Sequence, residues 1–283
     1  MKIVRFEHDG RALSGVMHGE GVSTFEALGL AFDNVESLIR GGAQVTAMLG
    51  QRAKARKADH ALSAVKLLAP LAKPQKFLAI GLNYRKHIEE FSGPGGGEPP
   101  RQIWFNKQIS CINGPGGVID PGVSVALDYE VELGAVIGTR AKSVKAAEAL
   151  SHVFGYTIVN DITARDWQKH AATWTVGKSF DTHGPIGPFI VTADEIADPQ
   201  NLNLRCLVNG QLRQNANTGD MIHSVAQQIE YLSTAFTLEP GDILATGTPE
   251  GVGMAMTPPG YLKSGDVVRC EIDGIGALEN SVR

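Results

Sequence analysis

From Leu127 to Leu133 the chain alternates apolar and polar side chains without a break, Leu-Asp-Tyr-Glu-Val-Glu-Leu. That period of two belongs to a β-strand whose two faces meet different surroundings. Tyr129, Val131 and Leu133 are expected to face a core. Asp128, Glu130 and Glu132 then stand in a row on the opposite side. Neighbouring carboxylates on one strand face repel each other, slightly in water and severely where water is excluded. The row is therefore either a solvated face or the wall of a pocket holding something positive. A divalent cation with oxygen ligands is the natural occupant of such a pocket.

The rest of the chain reads as mixed but β-rich (α+β). Its 33 glycines and 14 prolines suit many tight turns, and 43% hydrophobic against 20% charged residues provides for a sizeable core. Residues 1–70 read as a small N-terminal β-rich domain, and residues 71–283 as a larger second one. Hairpin turns are expected at Asp9-Gly10, Asn209-Gly210 and Asp273-Gly274. Helices are expected over 35–40, 43–56, 142–153 and 222–234. A net charge of −4, with neither half acidic or basic, argues against nucleic acid or an anionic membrane as general partners. Cys111, Cys206 and Cys270 are odd in number and far apart, which favours a reducing compartment. With no visible N-terminal signal or membrane-length apolar run, the expected location is cytoplasmic.

Three further stretches carry candidate chemistry. A buried strand over 77–81 turns into Asn83-Tyr84-Arg85-Lys86-His87-Ile88-Glu89-Glu90, and on a helical turn His87 and Glu90 share a face. A carboxylate beside an imidazole fixes its tautomer and raises its basicity, as a general base requires, although an ordinary surface contact has the same spacing. The following Gly93-Pro94-Gly95-Gly96-Gly97 and Pro99-Pro100 form either a plain loop or the hinge of a lid over a site. A second strand over 156–159 ends at Asp161, with Arg165 and Gln168 at i+4 and i+7. The three form either a capped helix with a salt bridge or an oxygen-rich site for an anion. Gly177-Lys178-Ser179 is no phosphate-binding loop, because Ala172 stands where that motif needs glycine, and the other glycine strings lack dinucleotide spacing. Lys178 remains a cation near the acids.

Taken together, the stretches at 83–87, 128–133, 160–166, 177–182 and 247–253 and the closing Gly265-Asp266 hairpin resemble the fumarylacetoacetate hydrolase family, in family order over about 71–283. The resemblance implies a large mixed sheet curled into a roll, in a homodimer. It implies Mg²⁺ or Mn²⁺ on Glu130, Glu132 and Asp161. It makes His87 and Glu90 the water-activating pair and Lys178 a catalytic cation, with Arg165, Gln168, Thr248 and Tyr84 as substrate contacts. Asp128 matches the family string but is not normally a ligand, so the row of three acids over-predicts by one. His183-Gly184-Pro185 departs from the aromatic or Cys that many members place before the Pro, and this loop is expected to shape the pocket.

The activity so implied is metal-dependent hydrolysis of the C–C bond of a 2,4-dioxo acid (an acylpyruvate, fumarylpyruvate or a sugar-derived diketo acid). The products would be pyruvate and a carboxylic acid. Enolate chemistry serves equally for an oxaloacetate decarboxylase, or for an isomerase or hydratase of a related dioic acid. A non-catalytic small-acid binding protein is the reading from another class, against which the intact His87–Glu90 pair argues.

Overall fold

The computed structural model describes residues 1–93 and 95–283. Its centre is the strand Val131–Ile137, buried along its whole length. The expected alternation therefore survives, with Tyr129, Val131 and Leu133 in a core, but the opposite face is not solvated. Each fully buried aliphatic side chain here contributes about 1.5–3 kcal/mol, so this strand's position is strongly specified.

Around it runs one large mixed sheet. Val131–Ile137 pairs antiparallel with Val153–Asn160 on one side and with Ile243–Ala245 on the other. Beyond Ile243–Ala245 lie Phe77–Gly81, in parallel, and then Ile103–Asn106. Beyond Val153–Asn160 comes Gly184–Thr192. The N-terminal strands Lys2–His8, Arg11–His18 and Gly21–Thr24 continue the same sheet, joined through Lys2↔Val191 and Ile3↔Ile190. A core of Ile3, Val16, Leu38 and Leu49 runs on into Phe77, Val136 and Ile243. A second sheet contains Asn203–Val208, Gln211–Asn217, Val267–Ile272 and Gly276–Val282. Its Leu204, Val268 and Leu278 pack with Leu133, Ile158 and Val191 of the first.

Most expected helices and turns fall where the sequence places them. Val35–Lys54 is one element with a break at Gly42, capped by Asn34. Val225–Ala235 starts in a Ser224/Gln227 capping box. The helix expected over 142–153 is only Ala146–Ala149 followed by a 3₁₀ turn. The reason is tertiary: the amides of Ser143 and Val144 bond to the backbone and hydroxyl oxygens of Ser233. No described helix is long and apolar enough to cross a membrane. Of the expected lid, Pro94 lies outside the described residues, and Glu98 is salt-bridged to Arg85 at the start of the helix Arg85–Ser92.

Candidate active site and metal centre

The acids converge because two neighbouring strands end together. Val131 pairs with Asn160, and the amide of Asp161 bonds to the carbonyl of Glu130 at 2.9 Å. Asn160 Oδ1 accepts from the Glu130 amide. Glu130, Glu132 and Asp161, all buried, thereby offer carboxylate oxygens within 4.8 Å of one another. Lys178 Nζ lies 2.6 Å from Glu130 Oε2 and 2.7 Å from Asp161 Oδ2. It reaches them because Gly177 packs on the turn at Gln168, where a Cβ would meet the Gln168 amide nitrogen at 2.3 Å.

Asp128 leaves the row. It sits in a separate short strand, Leu127–Asp128, paired with Thr163–Ala164. Its carboxylate accepts from Arg165 Nε at 2.9 Å and from the amides of Gly253 and Met254. Asp128 is thus the anchor of Arg165 and not a fourth open acid. Arg165 in turn stands 2.6 Å from Glu130 Oε1 and donates to Gln168 Oε1 at 3.1 Å.

The charges of these groups are strongly coupled. Burial opposes ionisation of Glu130, but Lys178 and Arg165 outweigh it and hold the carboxyl down at about 2. Burial likewise opposes the charge on Lys178, yet Asp161 and Glu130 keep it protonated. Glu132 is the exception. Burial, then Asp161 and Glu130, push its pKa well above the usual carboxylate range, and the amide of Gly247 is its hydrogen-bond donor. Four acids here (Asp128, Glu130, Glu132, Asp161) face three cations (Lys107, Arg165, Lys178). A buried carboxylate left over in such a cluster, beside two others already bridged by an ammonium, fits a hard divalent cation bound through oxygen.

Glu130, Glu132, Arg165 and Lys178 of this cluster floor a cavity of about 250 Å³, lined also by His87, Gln168, Thr248 and Lys169, with Phe91, Phe105, Trp174 and Met254 among its walls. His87 is buried, edge-on to Phe91, and its Nδ1 has no hydrogen-bond partner. Glu90 lies nearby, 3.8 Å from that nitrogen, and instead accepts from the amide of Gly251 at 2.5 Å. Thr248 donates its hydroxyl to the carbonyl of Val131 and accepts from Gln214. Tyr84 is not brought to this cavity. It is buried beside a second one, with Arg85, Asp220 and Glu250, and its hydroxyl is unpartnered. The His183 loop does not line the cavity either: His183 is buried, stacked on Phe180 and bonded to the carbonyl of Asp120.

Two features escaped the sequence. Lys107 is buried, with its ammonium 2.5 Å from Asp161 Oδ1 and also bonded to the carbonyl of Lys178. No pattern marks it, since its partner lies 54 residues away. Trp174 lays its indole over Gly81, where a Cβ would meet the ring at 2.3 Å. The one local signal is that the strand Phe77–Gly81 ends in a glycine, which permits such an approach.

The family profile described as fumarylacetoacetate (FAA) hydrolase C-terminal matches residues 76–283. The chain belongs to the fumarylacetoacetate hydrolase family. Among members of that family, a mitochondrial oxaloacetate tautomerase of Xenopus laevis is 48% identical over 223 residues, covering 78% of this chain and 69% of the relative. The fumarylacetoacetate hydrolase of Exiguobacterium antarcticum superposes with a TM-score of 0.83 at 38% identity, over 100% of this chain and 99% of that one. Maleylpyruvate hydrolase of Sphingobium sp. SYK-6, in complex with manganese(II) and pyruvate, gives 0.80 at 31% identity, over 100% and 98%. The fumarylacetoacetate hydrolase fold thus brings with it relatives that carry out more than one reaction.

Proposed function

We propose that the protein is a Mg²⁺- or Mn²⁺-dependent enzyme that interconverts the keto and enol forms of oxaloacetate or a closely similar 2-oxo acid. The observation that carries this reading is the placement of Lys178. Its ammonium, kept charged by Glu130 and Asp161, lies on the floor of the cavity, where it stabilises negative charge on an enolate oxygen. Glu130, Glu132 and Asp161 would hold the metal, which when bound would supply Lewis acidity to the 2-oxo carboxylate. The chain's own residues supply the rest. His87, which lines the cavity, takes the proton from C3 as the C3–H electron pair forms the C2=C3 bond and the 2-oxo oxygen takes up a proton from solvent; in the reverse direction it returns a proton to C3 as that oxygen gives its own up. Gln168, its carbonyl occupied by Arg165, keeps its amide hydrogens for the substrate. The apolar walls exclude water. Support from outside the site comes from the oxaloacetate tautomerase at 48% identity.

The test is the rate of enol absorbance loss from freshly dissolved enol-oxaloacetate, with enzyme and Mg²⁺, alongside pyruvate release. Loss faster than in buffer, without equivalent pyruvate, supports tautomerisation. Decay at the buffer rate sinks it.

A second reading, hydrolysis of an acylpyruvate, is favoured by one observation: His87 has a carboxylate, Glu90, 3.8 Å away on the same helical face. There His87 would take a proton from water as the oxygen attacks the 4-carbonyl. The C3–C4 bond would then break to leave a carboxylic acid and the enolate of pyruvate, to be protonated at C3. Pyruvate release from acetylpyruvate, with none from oxaloacetate, would select this reading.

A further inference from the structure

The cations facing the cavity are unequal. Arg165 is paired with Asp128 and Glu130, and Lys178 with Glu130 and Asp161, so the charge of each is already neutralised by the protein. Lys169 also lines the cavity, and among the described residues it pairs with no carboxylate. It caps the C-terminal end of the short helix Arg165–Gln168. At i+4 from Arg165 and next to Gln168, it falls on the side of the helix that faces the cavity. Unlike the other two cations it is exposed, and so stands at the mouth.

A small 2-oxo acid enters this cavity with two distinguishable ends. Its 2-oxo carboxylate end belongs at the buried acids and Lys178. The other end then extends along walls that include Phe91, Trp174 and Met254, towards the exposed side where Lys169 stands. A carboxylate placed among those apolar walls loses water and needs a counter-charge. The only lining cation there without a protein partner, among the described residues, is Lys169. An acyl tail without charge would need none.

We infer that Lys169 is the specificity-determining residue that reads the second carboxylate of a dicarboxylic 2-oxo acid, selecting diacids over acids with neutral tails. This deepens, and rests on, the reading of the site as one for oxaloacetate-like substrates. Arg165 and Gln168 position the reacting end, and Lys169, on the same helical face, grades the far end. Its long aliphatic stem lets the ammonium stay in water without ligand and fold over the tail with one.

The experiment compares two ligands in the full-length protein at saturating Mg²⁺: 3,3-difluorooxaloacetate, which has no C3 proton to lose, and pyruvate, which lacks the second carboxylate. Affinities are read by calorimetry for wild type, Lys169→Met and Lys169→Arg. Lys169→Met should weaken difluorooxaloacetate about five- to tenfold, the worth of a partly exposed charged contact. Pyruvate binding should stay unchanged, and Lys169→Arg should keep most of the diacid affinity. In turnover, the KM for oxaloacetate should rise with kcat held. Equal weakening of both ligands, or of neither, overturns the inference. If wild type fails to turn over oxaloacetate yet Lys169→Met still loses the diacid selectively, the proposed reaction falls while the role of Lys169 stands. Since Lys169 is exposed, an unchanged melting temperature is expected in both variants.

Discussion

His87 Nδ1 and Glu90 Oε1 stand 3.8 Å apart, beyond a hydrogen bond, because the amide of Gly251 already holds the glutamate at 2.5 Å. The two side chains share a helical face, yet one is tied to a loop from the far end of the chain. The imidazole is thereby left without a partner on that nitrogen. On the proposed keto–enol reaction, proton transfer by His87 would not need Glu90, whereas orientation of an attacking water would. His87→Asn should lower keto–enol interconversion of oxaloacetate by about 10²–10⁴-fold, the usual worth of a positioned general base. Glu90→Gln should cost far less in that reaction than in any acylpyruvate hydrolysis. Steady-state rates with both substrates at saturating Mg²⁺ check the pair.

Glu132 is the carboxyl whose ionisation the fold opposes, so its replacement should act in opposite directions with and without metal. Glu132→Gln is expected to stabilise the metal-free protein, or leave it unchanged, since burial and two neighbouring acids already oppose the charge. In the presence of Mg²⁺ the same variant should lose metal affinity. Thermal melts in chelator and in Mg²⁺, with a calorimetric titration, give both signs.

Lys107 supports the centre from below. Lys107→Met would leave Asp161 Oδ1 without its cation in a fully buried place. Breaking a buried pair on one side costs about 3–5 kcal/mol. Denaturant unfolding should show a loss of that order in the absence of metal, and less at saturating Mg²⁺.

Trp174 and Gly81 form the aromatic wall together. Gly81→Ala would place a methyl group into the indole, so Trp174 must swing away. The expected result is a raised KM and altered tryptophan fluorescence on ligand addition, with the melting temperature lowered by little.

His183 provides a pH signature away from the cavity. Burial pushes its pKa from the usual 6.5 down to about 4, and its Nδ1 has no acceptor for a second proton. The unfolded chain therefore binds a proton between these values that the folded one refuses. Stability is full above pH 6.5 and falls as pH drops towards 4, by about 3 kcal/mol at most from this group. His183→Asn should flatten that part of the profile in urea melts taken across the range.

How much of this was legible in advance depends on the range of the interactions. The alternation at 127–133 located the central strand and its acids because period two is a local property. Asp161 was found because a strand end is also local. The sequence leaves open whether the acid face is wet, and only the resemblance sets Asp128 apart, because the position of Asp128 depends on Arg165 and on backbone amides 125 and 126 residues away. The resemblance assigns Tyr84 to the substrate, but after the bend at Leu82 the side chain lines another cavity. Ser143 and Val144 gave up a local helix for bonds to Ser233, which no reading of residues 142–153 contains.

One backbone segment touches three of the acids: the amides of Gly247, Gly251 and Gly253 bond to Glu132, Glu90 and Asp128 in turn. Main-chain donors survive side-chain replacement, so mutation between these glycines can alter the chemistry over the cavity without unseating the carboxylates. A scaffold wired in this way lets descendants diversify in what they accept while inheriting the same reactive floor.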